Sequence, residues 1–161
     1  MHKTIIGVMG PGEKATAKDI EVAYEIGKLV AMENWVLLTG GRNVGVMDAA
    51  CKGAKEAKGL TIGILPTDEK ETFSEAVDIV IVTGMNNARN NINVLSSNVV
   101  VACGIGAGTT SEIALAIKAN KKVILINQDS QDFFKKIGGE NIIIVHSPKE
   151  VIASIKELLE K

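Results

Sequence analysis

Three apolar runs of strand length in this chain end in glycine-rich turns, and each turn opens into a segment of helical periodicity. The turns are Gly10-Pro11-Gly12, Gly40-Gly41-Arg42-Asn43-Val44-Gly45 and Gly104-Ile105-Gly106-Ala107-Gly108. A strand followed by a tight turn and a helix is the repeating unit of a parallel sheet, because parallel neighbours must be joined by a crossover. In open sheets of this kind ligands sit at the carboxyl ends of the strands, so three such turns on one edge would line a single crevice.

The same alternation runs the length of the chain. Strands are expected at 4–9, 36–39, 60–65, 78–83, 98–103, 122–127 and 141–145, and helices at 17–33, 45–58, 87–96, 109–119, 131–137 and 148–160. Ser147, Pro148 and Glu150 form a complete helix-start signal for the last of these. The expected fold is α/β: a single domain over residues 1–161, with a doubly wound parallel sheet of about seven strands and helices on both faces. An apolar content of 46% with only 3% aromatics suits such a tightly packed sheet.

The net charge of −1 gives no basic block for a nucleic-acid backbone. No apolar run reaches the length of a membrane span, and the first ten residues are too short an apolar stretch for a signal peptide. The expected protein is soluble and cytoplasmic, with no nucleic-acid or membrane partner. Cys51 and Cys103 fit no paired metal spacing and read as free buried thiols. His2 and His146 are isolated, so no metal site is expected.

The chemistry concentrates in the third glycine turn and the hydroxyls and carboxylate directly after it, Gly106-Ala107-Gly108-Thr109-Thr110-Ser111-Glu112. Glycines let a ligand approach the backbone, and the first N–H groups of a helix lack internal partners and favour an anion. The ligand is therefore expected to be a phosphorylated small molecule. Glu112 has two readings. It could be a catalytic acid, or it could close a capping box in which Thr109 is the N-cap. The chain carries sixteen lysines but two arginines, Arg42 and Arg89, both in or beside turns after strands. A planar guanidinium suits phosphate, so both are candidate ligand groups. Beside Arg89, Asn86 and Asn87 could bind a ligand or simply form a turn.

These residues resemble a known superfamily. The stretch Thr39-Gly40-Gly41-Arg42-Asn43-Val44-Gly45-Val46-Met47-Asp48, then Met85 and Arg89, then Gly106 to Glu112, is similar to Rossmann-like proteins once described as lysine decarboxylase-like. That superfamily includes the Lonely Guy phosphoribohydrolases and the molybdenum cofactor carrier proteins. In the hydrolases, a Met-x-x-Arg-Lys motif and a Pro-Gly-Gly-x-Gly-Thr-x-x-Glu motif supply the arginine and glutamate that cleave base from ribose 5'-phosphate. The resemblance thus implies Arg89 and Glu112 as the catalytic pair if the chain is a hydrolase. Gly104 stands in place of the motif's proline, Ile105 in place of its first glycine and Asn90 in place of the lysine, with one residue inserted between Met85 and Arg89.

The patterns Thr-Gly-Gly-Arg-x-x-Gly-Val-Met and Ala-Cys-Gly-x-Gly-x-Gly-Thr look closer to the carrier branch. That resemblance implies a binding protein for a pterin or nucleotide-like phosphate, with molybdenum cofactor as cargo and no cofactor required for folding. The ligand residues it implies, with those of the glycine turns, are Gly10, Gly12, Gly40, Gly41, Arg42, Gly45, Met85, Arg89, Gly106, Gly108, Thr109 and Thr110. It also implies a homodimer or homotetramer. No Schiff-base lysine motif supports a decarboxylase.

Overall fold

The computed structural model describes residues 2–160. Seven strands form one parallel sheet: β1 (Ile5–Met9), β2 (Val36–Thr39), β3 (Thr61–Leu65), β4 (Ile79–Val82), β5 (Val99–Cys103), β6 (Val123–Ile126) and β7 (Ile142–Ile144). Their order across the sheet is β4-β3-β2-β1-β5-β6-β7, and every neighbouring pair is parallel. The helices are α1 (Ala17–Met32), α2 (Gly45–Glu56), α3 (Arg89–Ser96), α4 (Ala107–Lys118), α5 (Gln131–Gly138) and α6 (Pro148–Leu159). The expected α/β sheet is thus present, with ends shifted by a residue or two at most strands and helices.

Each face of the sheet has its own core. One holds Val22, Ile26, Val46, Ala50, Val151 and Ile155, from α1, α2 and α6. The other holds Val94, Ile113, Ala116 and Phe134, from α3, α4 and α5. On the first face α1 and α2 cross closely because Gly27 and Gly53 meet the opposite backbone. A Cβ at Gly27 would lie 2.0 Å from the Ala50 carbonyl oxygen, and one at Gly53 would lie 1.9 Å from that of Tyr24.

Successive crossovers after β1 lead outward to β4 in one direction, and those after β5 lead outward to β7 in the other. The strand order therefore reverses between β1 and β5, which opens a crevice at their carboxyl ends. The turns after β1 and β5 are two of the three glycine-rich segments.

Two helices start with side-chain caps. At α6, Ser147 accepts from the Glu150 N–H, as its sequence predicts, while the Glu150 carboxylate accepts from the N–H of His146 rather than that of Ser147. At α1, Thr16 and Asp19 form a reciprocal capping box: Asp19 N–H donates to Thr16 Oγ1 at 3.1 Å, and Thr16 N–H donates to Asp19 Oδ2 at 2.9 Å.

Candidate ligand site at the sheet switch point

The backbone turn after β5 is made at Gly104, whose φ of +75° lies in the left-handed region that glycine adopts without strain. The turn is held from behind. A Cβ at Gly104 would stand 2.6 Å from Asp19 Oδ1, and that same oxygen accepts from Asn127 Nδ2. Gln128 Nε2 donates to the Gly104 carbonyl, so residues just after β6 and in the first turn of α1 fix the orientation of this peptide.

Because the turn is complete at Gly104, α4 begins at Ala107 with Gly106 as N-cap and no side-chain cap. This corrects the capping-box reading: Thr109 is the third helical residue, and Glu112 lies a turn further on. Neither performs the capping role. The first N–H groups of α4 are left without intrahelical partners, and the helix dipole favours negative charge there.

Beside this helix start lies a cavity of about 300 Å³, at the lower end of the range for small-molecule sites. Its lining comes from the turn after β1 (Gly10 to Lys14), from Gly40, Arg42 and Met47, from Asn87, Arg89 and Asn90, and from the start of α4. Three buried polar groups on its wall have no hydrogen-bond partner: Thr109 Oγ1, Arg89 Nε and Glu112 Oε2. Their residues are 2%, 8% and 8% exposed. Native proteins pair nearly all buried polar atoms, so these three groups make the cavity a candidate ligand site.

Arg89 is held by its neighbour: its Nη1 donates to Asn90 Oδ1, and Asn90 Nδ2 donates to Ser111 Oγ at 2.9 Å, which ties α3 to α4. Burial draws the Arg89 pKa below the usual guanidinium range; Glu112 opposes that shift and Arg42 adds to it. Arg42 pairs with Glu13 at the mouth, and the guanidinium holds the Glu13 carboxyl below its ordinary range. Glu112 is pushed up to about 8 by burial, against the pull of Arg89.

Of the residues expected to bind ligand, Gly10, Gly12, Gly40, Arg42, Arg89, Gly106, Gly108 and Thr109 line the cavity together with Glu112. Gly41, Gly45, Met85 and Thr110 do not. Gly41 and Gly45 have positive φ and pack against Gly63 and against the carbonyls of Pro11 and Gly12, which gives them a turn-shaping role. Met85 is exposed, and the Thr110 N–H donates back to Gly106. Asn86 takes the left-handed turn conformation, while Asn87 reaches the cavity. Sequence reasoning missed Lys14, Met47 and the buttress at Asp19. The Thr16-x-x-Asp19 spacing is a readable cap signal, but nothing local places that carboxylate under Gly104.

A doubly wound sheet with a helix N-terminus, two arginines and unpartnered donors at its switch point defines a Rossmann-like domain whose crevice is suited to an anion. Residues 3–152 match the model of the SLOG cluster4 family, and the chain belongs to that family. A molybdenum cofactor binding protein from Rippkaea orientalis is 59% identical over 99% of both chains, with a TM-score of 0.97. The molybdenum cofactor carrier protein of Chlamydomonas reinhardtii is 49% identical over 99% of this chain and 100% of its own, with a TM-score of 0.94. A cytokinin riboside 5'-monophosphate phosphoribohydrolase of Mycobacterium tuberculosis is 30% identical over 60% of this chain and 53% of its own.

Proposed function

We propose that the protein binds molybdenum cofactor as a carrier, with the phosphate of the pterin at the start of α4. The observation that carries this reading is the convergence of Thr109 Oγ1 and Arg89 Nε, both buried and unpartnered, on the cavity beside the free N–H groups of that helix. Gly108 lies on the same wall, and a Cβ there would meet nothing within 4 Å, so the backbone is open to a ligand. Arg42 and Lys14 add positive charge at the mouth. These groups suit a phosphate. Among the described residues no cluster of three or more metal-ligating side chains occurs, and on this reading the metal stays on the dithiolene of the cargo itself. Near-complete coverage by two structures whose names carry this cargo supports the carrier over the hydrolase.

A second reading keeps one specific support: Arg89 and Glu112, the pair that the hydrolase resemblance requires, face the same cavity. Incubation with nucleoside 5'-monophosphates separates the two. Inert nucleotides with tight retention of molybdenum cofactor bear out the carrier. Release of free base and ribose 5-phosphate, lost in both Arg89→Ala and Glu112→Gln, would establish a phosphoribohydrolase.

The remaining expectations belong to the same proposal. The chain acts as one domain, since one sheet spans it from β4 to β7. It works in the cytoplasm, a reading supported by two free buried cysteines. Among the described residues no helix is long and apolar enough to cross a membrane. It assembles with copies of itself through the β4 edge, where Ile79, Ile81 and Val82 are exposed.

A further inference from the structure

Glu112 stands apart from the other unpartnered groups of the cavity because phosphate has no use for it. A carboxylate would repel the anion that Thr109, Arg89 and the α4 N–H groups are placed to receive. Yet the side chain lines that cavity, is buried, and has one oxygen without any partner. It makes no ion pair within 4.0 Å with Arg89, whose Nη1 is turned to Asn90 instead. The charged groups facing the cavity are Arg89 from α3, Arg42 from the turn after β2, and Glu13 and Lys14 from the turn after β1. Of these, Arg89 is the one whose charge acts on Glu112, and it does not overcome the burial.

We propose that Glu112 is a specificity-determining residue that enters the complex as an uncharged acid and donates a hydrogen bond to a lone pair on the body of the ligand. The site then takes a phosphate monoester whose heterocycle presents an acceptor, a ring nitrogen or carbonyl oxygen, towards α4. A protonated carboxyl is one O–H donor, so the buried Glu112 oxygen that lacks a partner gains one when such a ring packs against it. This rests on the phosphate reading above but goes beyond it, since the cradle alone would accept any phosphate.

The test is calorimetric titration with two probes, inorganic phosphate and carbocyclic adenosine 5'-monophosphate, whose base is not held by a glycosidic bond. Wild type is compared with Glu112→Gln, a permanently neutral donor of the same shape, and with Glu112→Leu, which cannot donate. At pH 7, Glu112→Gln is expected to bind the nucleotide analogue within about threefold of wild type, and Glu112→Leu about tenfold more weakly. Both should bind inorganic phosphate as wild type does. Above about pH 8 the wild-type affinity for the analogue should fall by up to about tenfold per pH unit, and that fall should vanish in Glu112→Gln. An alkaline fall that persists in Glu112→Gln, or a Glu112→Leu variant that binds the analogue normally, would overturn the proposal. So would phosphate binding without any binding of the analogue. Failure of wild type to bind inorganic phosphate would remove the phosphate reading itself, and this proposal with it. Should the variants not fold, infrared spectroscopy of wild type at pH 7 decides: a buried carboxylic-acid carbonyl band that shifts when the analogue is added supports the donor, and its absence contradicts it.

Discussion

Gly104 and Gly108 sit four residues apart in one glycine-rich segment, and the structure gives them opposite tasks. Gly104 needs its positive φ and leaves no room for a side chain against Asp19. Gly104→Ala should therefore cost about 2–3 kcal/mol of stability, measured by denaturant unfolding. At Gly108, inside the first turn of α4, a methyl group meets nothing within 4 Å. Gly108→Ala should raise stability by about 0.5–1 kcal/mol and weaken phosphate binding, because the methyl group closes the backbone to the ligand. A Gly108→Ala variant with unaltered affinity would place the anion elsewhere. Glu112 makes folding depend on pH. Its folded pKa is raised to about 8 from an ordinary 4.5, so the native state binds the extra proton between those values. Stability from this group is fully present below about pH 4.5 and is lost as pH rises towards 8. Glu112→Gln removes that loss, so its melting temperature should exceed that of wild type at pH 9 and match it near pH 4. Equal differences at both pH values would show that Glu112 ionises normally.

The elements around the site explain what the sequence can and cannot disclose. Strand–turn–helix order is legible because apolar runs, glycines and periodic segments are local signals, and these are enough to find the three turns and both arginines. The start of α4 is not legible in the same way, and it falls two residues before its expected position. Thr109-Thr110-Ser111-Glu112 has the composition of a capping box, but the turn at Gly104 depends on Asp19, Asn127 and Gln128, which lie far away in sequence. Those contacts hold the turn at Gly104, α4 begins at Ala107, and Glu112, in its second turn, lines the cavity. Asp19 thus serves two elements: it closes the capping box of α1 and accepts from Asn127 behind the turn at Gly104. Asp19→Ala would forfeit the cap interaction and the hydrogen bond from the exposed Asn127 amide, for a loss of about 2 kcal/mol and about 4–8 °C in melting temperature. A change of less than about 1 kcal/mol would mean that the buttress contributes little to the turn.

Across the whole molecule, the sheet order places two glycine turns on either side of one crevice, and the third reaches it through Gly40 and Arg42. The outer edge poses a different problem, because β4 pairs only with β3 and exposes Ile79, Ile81 and Val82. Unpaired apolar edges invite association, and a second copy is the partner proposed for this one. Ile81→Lys should shift the protein to a monomer in sedimentation or light scattering, with ligand binding retained. A wild type that is already monomeric would contradict that assembly. Both the crevice and the early start of α4 serve one purpose on this reading, the capture of a phosphate. The decisive measurement is a crystal structure of the protein grown with a pterin phosphate. The phosphate oxygens should accept from the Ala107 to Thr109 N–H groups, Thr109 Oγ1 and Arg89, with the ring extending towards Glu112; a phosphate bound outside the switch-point crevice would refute it.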